Sequence, residues 1–321
     1  MSIAMALSLL GAAVAPAPAG PPEEITAPGP QGALHGTLIP PAPDRPLLLI
    51  LPGSGPTDRD GNSPLGIRAG TYRMLAEALA ARGIGTARID KRGLGASAGA
   101  VADGNAVTIG DYVTDTRAWI ASLRAKTGRA CIWLAGHSEG GLIALAAAQQ
   151  PEGICGIILV AAPGRPLGTI LREQLRANPA NAPLLPQAMA AIDRLEAGER
   201  VDAGTLPPAL QRLFAPQVQG FLIDAMAYDP AALAGKVALS MLILQGEADL
   251  QVSLADAQAL HAARPAATLA LLPGVNHVLK AVPAGDRAAN FARYGDASAP
   301  LAPAVVDAMA AFVTQAETGK E

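Results

Sequence analysis

The 321-residue chain is poor in the side chains on which many functions depend. Phe, Trp and Tyr make up 3% of it, too few for a surface that stacks bases or a long sugar polymer. Neither sign of charge dominates: 24 Lys and Arg stand against 27 Asp and Glu, a formal net charge of −3, with no basic run. That balance argues against nucleic-acid binding and against attraction to an anionic membrane. Two cysteines cannot build a disulfide framework or a four-ligand zinc site. No phosphate-cradling G-x-x-x-x-G-K-[ST] occurs, and no His/Asp/Glu cluster has metal-ligand spacing. Beyond the N-terminus, no apolar run is long enough to cross a bilayer.

Apolar residues, by contrast, make up half of the chain, enough for a sizeable core in one large domain or two small ones. Residues 3–14 form an apolar stretch of signal-peptide length, followed by small residues suited to cleavage near Ala17 or Ala19. The basic residues expected ahead of such a stretch are missing. Residues 1–22 are read as an export signal, which makes the mature protein periplasmic or secreted. The alternative is a disordered Ala/Pro tail on a cytoplasmic chain.

The stretch that organises the rest is 131–150. A short apolar run at 131–135 suits one buried strand, and an Ala- and Leu-rich run from 141 suits a helix. Between them lies Gly136-His-Ser-Glu-Gly140, a G-x-S-x-G in the strand–turn–helix setting of a nucleophile elbow. Such a turn holds Ser138 in a strained conformation and exposes its hydroxyl, so Gly136 and Gly140 supply flanks without bulk.

Apolar runs at 47–51, 84–89, 154–162, 239–245 and 267–272 read as further strands. Helical patterns at 67–82, 108–126, 254–263 and 302–316 alternate with them. That alternation predicts a mostly parallel sheet with helices on both faces. Residues 23–40 fit an antiparallel hairpin at the sheet edge. Residues 163–235 break the rhythm, with helical stretches at 169–177, 186–197 and 206–228 and no good strand. They are read as a helical cap between core segments 23–162 and 236–319.

A serine hydroxyl needs a base beside it, and the chain has four histidines. His35 lies in the N-terminal hairpin, His261 sits inside a helix, and the His137 side chain is expected to leave the elbow in another direction. His277 alone follows a strand in a loop, at the sheet edge where open α/β sheets place their sites. The acid that orients it is expected between Ser138 and His277. Asp249 follows a strand 28 residues before His277, and Glu247 is its one rival. The oxyanion donors expected are the backbone N–H groups of Glu139, after the nucleophile, and of Ser54 in Pro52-Gly-Ser-Gly-Pro56.

Three motifs now stand in order: Gly53-Ser-Gly-Pro-Thr-Asp-Arg-Asp-Gly61, Asp90-Lys-Arg-Gly93 and Gly136-His-Ser-Glu-Gly140. From residue 23 onward the chain resembles an α/β-hydrolase serine esterase. More narrowly, it is similar to a bacterial carboxylesterase subgroup with these three loops. The resemblance implies the α/β-hydrolase fold with a helical cap, hydrolysis of short-acyl esters, and no cofactor. It also implies triad positions for Ser138, Asp249 and His277. The first loop begins Leu51-Pro52, where related enzymes often have His-Gly or Gly-Gly.

Asp58, Arg59 and Asp60 are expected to form a charged network with Lys91 and Arg92 under the pocket mouth, and Glu139 to pair with Arg92 or shape the leaving-group side. Leu184, Leu185, Leu210, Leu213, Phe214, Phe221 and Leu222 in the cap suggest a modest apolar substrate. Cys131 and Cys155 begin neighbouring strands and are read as buried thiols, or as a bridge in an exported protein. Thioesterase and serine aminopeptidase remain open on the same triad, as does a binding protein on a retired hydrolase fold. Gly93-Leu-Gly95-Ala-Ser-Ala-Gly99 imitates a dinucleotide fingerprint, but no helix clearly opens there.

Overall fold

The continuous apolar runs become the buried middle of one sheet. The computed structural model describes residues 20–318, so the expected export signal lies almost wholly outside the described residues. Among the described residues there are eight strands: β1 (Glu23–Pro28), β2 (Ala33–Ile39), β3 (Leu47–Leu51), β4 (Gly85–Ile89), β5 (Ile132–His137), β6 (Ile154–Val160), β7 (Ser240–Gly246) and β8 (Thr268–Leu272). Their order is β1-β2-β4-β3-β5-β6-β7-β8. The β1–β2 hairpin joins β4 antiparallel at one edge, and the remaining pairs are parallel.

The helices are α1 (Thr71–Ala80), α2 (Ile109–Thr127), α3 (Glu139–Ala147), α4 (Leu167–Ala177), α5 (Leu185–Glu196), α6 (Pro208–Gln211), α7 (Pro216–Met226), α8 (Pro230–Lys236), α9 (Leu254–Ala263), α10 (Arg287–Ala292) and α11 (Pro303–Thr318). The period-two geometry of a strand sorts β3 between two cores. Leu47, Leu49 and Leu51 pack with α2, α3 and α9 on one face, while Leu48 and Ile50 pack with α1 and α11 on the other. Both faces are therefore covered, as a parallel sheet requires.

Local chemistry sets several boundaries. Thr108 caps α2 in a capping box with Asp111, and Gly128, at φ 70°, ends it. The helix expected over 206–228 is two, α6 and α7, because Pro216 has no N–H to continue a helix and opens a new one instead. The insertion between β6 and β7 has an apolar core of its own, including Ile192, Leu195, Leu210, Phe214 and Met226. Ala234 of α8 already packs into the core under the sheet.

Cys131 and Cys155 form a disulfide, with Cα atoms 5.1 Å apart, rather than two thiols. It ties the start of β5 to β6 across 24 residues of chain. Cross-linking a loop of that size removes unfolded-state entropy worth about 3 kcal/mol. The double substitution Cys131→Ala/Cys155→Ala is therefore expected to lose about that much in urea titrations; an unchanged midpoint and slope would show that the bridge constrains nothing.

Candidate active site

Strand β5 runs into α3 through Ser138, whose φ of 54° and ψ of −123° are unusual for any residue with a side chain. Such a backbone costs on the order of 1–3 kcal/mol and persists only where the surroundings enforce it. Here they do. A Cβ on Gly136 would stand 2.1 Å from the Gly140 carbonyl oxygen, and a Cβ on Gly140 2.1 Å from that of Leu51. The Ser138 N–H donates to the Val160 carbonyl at 2.9 Å, and its own carbonyl accepts from the Gly141 N–H at 2.8 Å.

The loops after β7 and β8 bring Asp249 and His277 together. His277 Nδ1 lies 2.7 Å from Asp249 Oδ2, and both side chains are buried. The other carboxylate oxygen accepts the N–H groups of Gln251 at 2.7 Å and Val252 at 3.0 Å. Burial alone would raise the Asp249 pKa, but the His277 imidazole and these two amides outweigh it and hold the carboxyl below its ordinary range. Glu247, the rival acid, is exposed. His277 lines a small cavity of about 90 Å3 together with Ser138 and Ser54, so the three elements meet at one rim. His35 stays in β2 and His261 in α9.

His137 does not leave the site. Its ring packs 4.8 Å from that of His277, between centroids. Its Nε2 is 2.9 Å from the His277 carbonyl oxygen, which can only accept, so Nε2 carries the proton. Nδ1 is then free to accept from the Tyr72 hydroxyl at 2.9 Å, while that hydroxyl accepts the Gly53 N–H at 2.9 Å. The chain of donors has one direction, and it needs a neutral His137. Burial, reinforced by the neighbouring His277, pushes the His137 pKa down to about 3, and burial pushes the Tyr72 phenol up. No sequence signal marks Tyr72, since one aromatic at the start of an amphipathic helix reads as core.

The charged network also differs from expectation. Glu139 pairs with Lys91, at 3.2 Å, and not with Arg92. Arg92 instead reaches Asp111 at 2.7 Å and Asp115 at 2.6 Å on α2, while Arg59 bonds Asp90 at 2.9 Å. The glycine run after Asp90 serves that carboxylate. A Cβ on Gly95 would stand 2.7 Å from it, and it accepts the Ala96 N–H at 3.0 Å, in a 3-10 turn rather than at an α-helix.

A second cavity, of about 370 Å3, opens from Ser138 beneath the inserted helices. Ser54 and Glu139 line it beside Ser138, with Leu167, Ile170, Leu171, Val218, Phe221 and Leu222 from α4 and α7 opposite. Of the cap residues singled out from sequence, only Phe221 and Leu222 face this cavity. Leu184, Leu210, Leu213 and Phe214 pack inside the insertion itself. Among the described residues, no group of three or more His, Cys, Asp or Glu could hold a metal ion.

Sheet order, flanking helices and the strained serine turn together define the α/β-hydrolase fold. A family model described as serine aminopeptidase, S33, matches residues 65–280, and the chain belongs to that family. Esterase EstD of Thermotoga maritima is 25% identical over 213 residues, 66% of this chain. The matched stretch spans about half of that protein, 48% of its length. Among solved structures, GrgF from Penicillium sp. sh18, an alpha/beta hydrolase, aligns over 92% of this chain and 98% of its own at 20% identity and a TM-score of 0.58. Est1E from Butyrivibrio proteoclasticus covers 92% and 99% at 17% identity and a TM-score of 0.57. These last two likenesses are likenesses of fold.

The neutral His137 has a consequence for acid stability. Between its ordinary value of 6.5 and about 3, the unfolded chain binds a proton at residue 137 that the folded chain refuses. Stability therefore falls as pH drops through that window, by up to about 1.4 kcal/mol per pH unit from this one group. Chemical denaturation of wild type and His137→Gln from pH 7 to 4 is expected to show their stability difference shrinking as pH falls. A difference that is constant across the series contradicts the assignment.

Proposed function

We propose that the protein is a serine esterase that hydrolyses short-acyl or modestly sized apolar carboxylic esters through an acyl-enzyme on Ser138. The observation that carries this reading is the Asp249–His277 contact of 2.7 Å at the rim of the cavity that Ser138 lines. His277 Nε2 takes the proton from the Ser138 hydroxyl as Oγ attacks the ester carbonyl. Asp249, kept ionised, fixes the imidazole through Nδ1–H and stabilises the imidazolium that forms. The backbone N–H groups of Ser54 and Glu139 receive the carbonyl oxygen as it becomes negative. Collapse expels the alcohol, which takes its proton from His277. Water then repeats the sequence on the acyl-enzyme and regenerates Ser138. No step calls for a cofactor.

The likeness to Esterase EstD supports ester chemistry, as does the resemblance of the three loop motifs to those of a bacterial carboxylesterase subgroup. The family's description raises the aminopeptidase alternative, and the cavity weighs against it. A free α-amino group needs an available carboxylate. Glu139, the carboxylate lining the larger cavity, is already paired with Lys91. Thioester cleavage uses the same machinery, but a phosphate-bearing thiol carrier needs free cations. Arg165, the cation lining this cavity, is tied to Asp256 and Glu173. The apolar wall formed by α4 and α7 suits an acyl chain instead. The disulfide suits an oxidising compartment and so supports a periplasmic or secreted protein.

Replacing Ser138 with Ala is expected to lower nitrophenyl-ester turnover by about a millionfold while leaving the unfolding transition in place; retained turnover contradicts the role of Ser138. In a panel of esters, thioesters and aminoacyl anilides, butyryl and hexanoyl esters are expected to lead and palmitoyl esters to lag. Preference for an aminoacyl anilide would overturn the ester reading in favour of a peptidase.

A further inference from the structure

Lys91 is a buried ammonium that substrate does not reach. It lines neither of the two cavities that open at Ser138, and its side chain is 4% exposed. Such a charge is costly to bury unless its donors are used, and here they are used in an informative way. Lys91 Nζ donates to the Gly53 carbonyl oxygen at 2.8 Å and to Glu139 Oε1 at 3.2 Å, and it stands 5.0 Å from the centroid of the Tyr112 ring. Gly53 directly precedes Ser54, one expected oxyanion donor, and Glu139 itself carries the other.

We infer that Lys91 is the positioning residue of the oxyanion site, aiming the Ser54 N–H and neutralising the carboxylate beside the Glu139 N–H; the inference rests on the esterase reading above. The peptide between Gly53 and Ser54 is trans and planar, so its C=O and N–H point in opposite directions. Fixing the carbonyl on Lys91 turns the Ser54 N–H away from Lys91, and Ser54 lies on the side where both cavities meet Ser138. Gly53 cannot swivel, because its own N–H is held by the Tyr72 hydroxyl at 2.9 Å. It also lies against the nucleophile: a Cβ placed on Gly53 would be 3.3 Å from Ser138 Cβ.

The second partner matters for charge. Glu139 supplies a backbone donor to a developing anion and yet carries an anionic side chain, 9% exposed, that would oppose it. The ammonium of Lys91 cancels that opposition and polarises the Gly53–Ser54 peptide in the direction that strengthens its N–H as a donor. One cation thus serves both halves of the site from behind. The effect is expected in the transition state, where the oxygen is charged, and hardly at all in the bound ester.

The test compares Lys91→Met, Lys91→Arg and Lys91→Met/Glu139→Gln with wild type. The readouts are kcat and KM for a nitrophenyl butyrate ester, affinity for a trifluoromethyl ketone that forms a tetrahedral oxyanion adduct, and the thermal unfolding midpoint. Lys91→Met is expected to lose about a hundred- to a thousandfold in kcat, the size of effect of a lost oxyanion donor, with KM little changed. Its affinity for the ketone is expected to fall in parallel with kcat/KM. Lys91→Arg keeps the charge and is expected to stay within about tenfold of wild type, since an ammonium site suits a guanidinium imperfectly. Removing Glu139's charge as well is expected to restore part of the kcat.

Should Lys91→Met not fold, the double variant, which buries no unpaired charge, carries the comparison against Glu139→Gln alone. A folded Lys91→Met or double variant with near-wild-type kcat and ketone affinity overturns the inference. So does a kcat loss that leaves ketone affinity intact, as a merely structural role would. Full activity in Ser138→Ala would bring down the esterase reading itself. An inactive Ser138→Ala beside a fully active Lys91→Met would bring down only the role of Lys91.

Discussion

The geometry at Ser138 depends on a place where the chain has no room. The turn from β5 to α3 is compressed until the Gly140 carbonyl sits where a Gly136 side chain would be, and the backbone at Ser138 takes a positive φ. Sheet pairing enforces the compression: β5 lies between β3 and β6, with Leu51 beside Gly136 and Val160 beside His137. The strain of order 1–3 kcal/mol is small beside what two apolar cores on opposite faces of the sheet contribute. The result is a hydroxyl projected beyond the strand ends and a helix N-terminus directed at the same point.

Around that turn, loops from distant strand ends are held by polar contacts that are internally satisfied. The directed chain from Gly53 through Tyr72 and His137 to the His277 carbonyl joins the loop after β3 to the loop after β8. Lys91 joins the loop after β4 to the same Gly53 and to the start of α3. Buried pairs such as Arg92–Asp115 and Arg165–Asp256 are weak evidence for stability. Their value lies in fixing where a loop stands. A misplacement of an ångström in either of the proposed oxyanion amides would cost rate without unfolding anything.

Much of this was legible in the residues. The elbow announces itself because strained backbone demands glycine at fixed offsets, and strands announce themselves as short apolar runs. The pairing of His277 with Asp249 follows from elimination among four histidines and from strand ends gathering at one rim. Partners that are backbone atoms leave no such trace. Nothing about Tyr72 or Lys91 in sequence reveals that each binds Gly53, because the Gly53 peptide has no side chain to pattern. Glu139 faced two adjacent cations, and neighbouring positions in a turn point apart, so the choice of Lys91 over Arg92 is made only by the folded loop. Cap leucines misled for a related reason: a helical insertion large enough to bury its own core hides most of its apolar residues from the cavity.

The central claim is that the fold makes one hydroxyl, that of Ser138, chemically unlike the others in the chain. The most direct measurement is peptide mapping by mass spectrometry after brief exposure of the native protein to a fluorophosphonate. A single phosphonate on the peptide containing Ser138, lost when the protein is first unfolded in urea, is the predicted result. An unmodified protein, or a label that settles on other hydroxyls and survives unfolding, would contradict it.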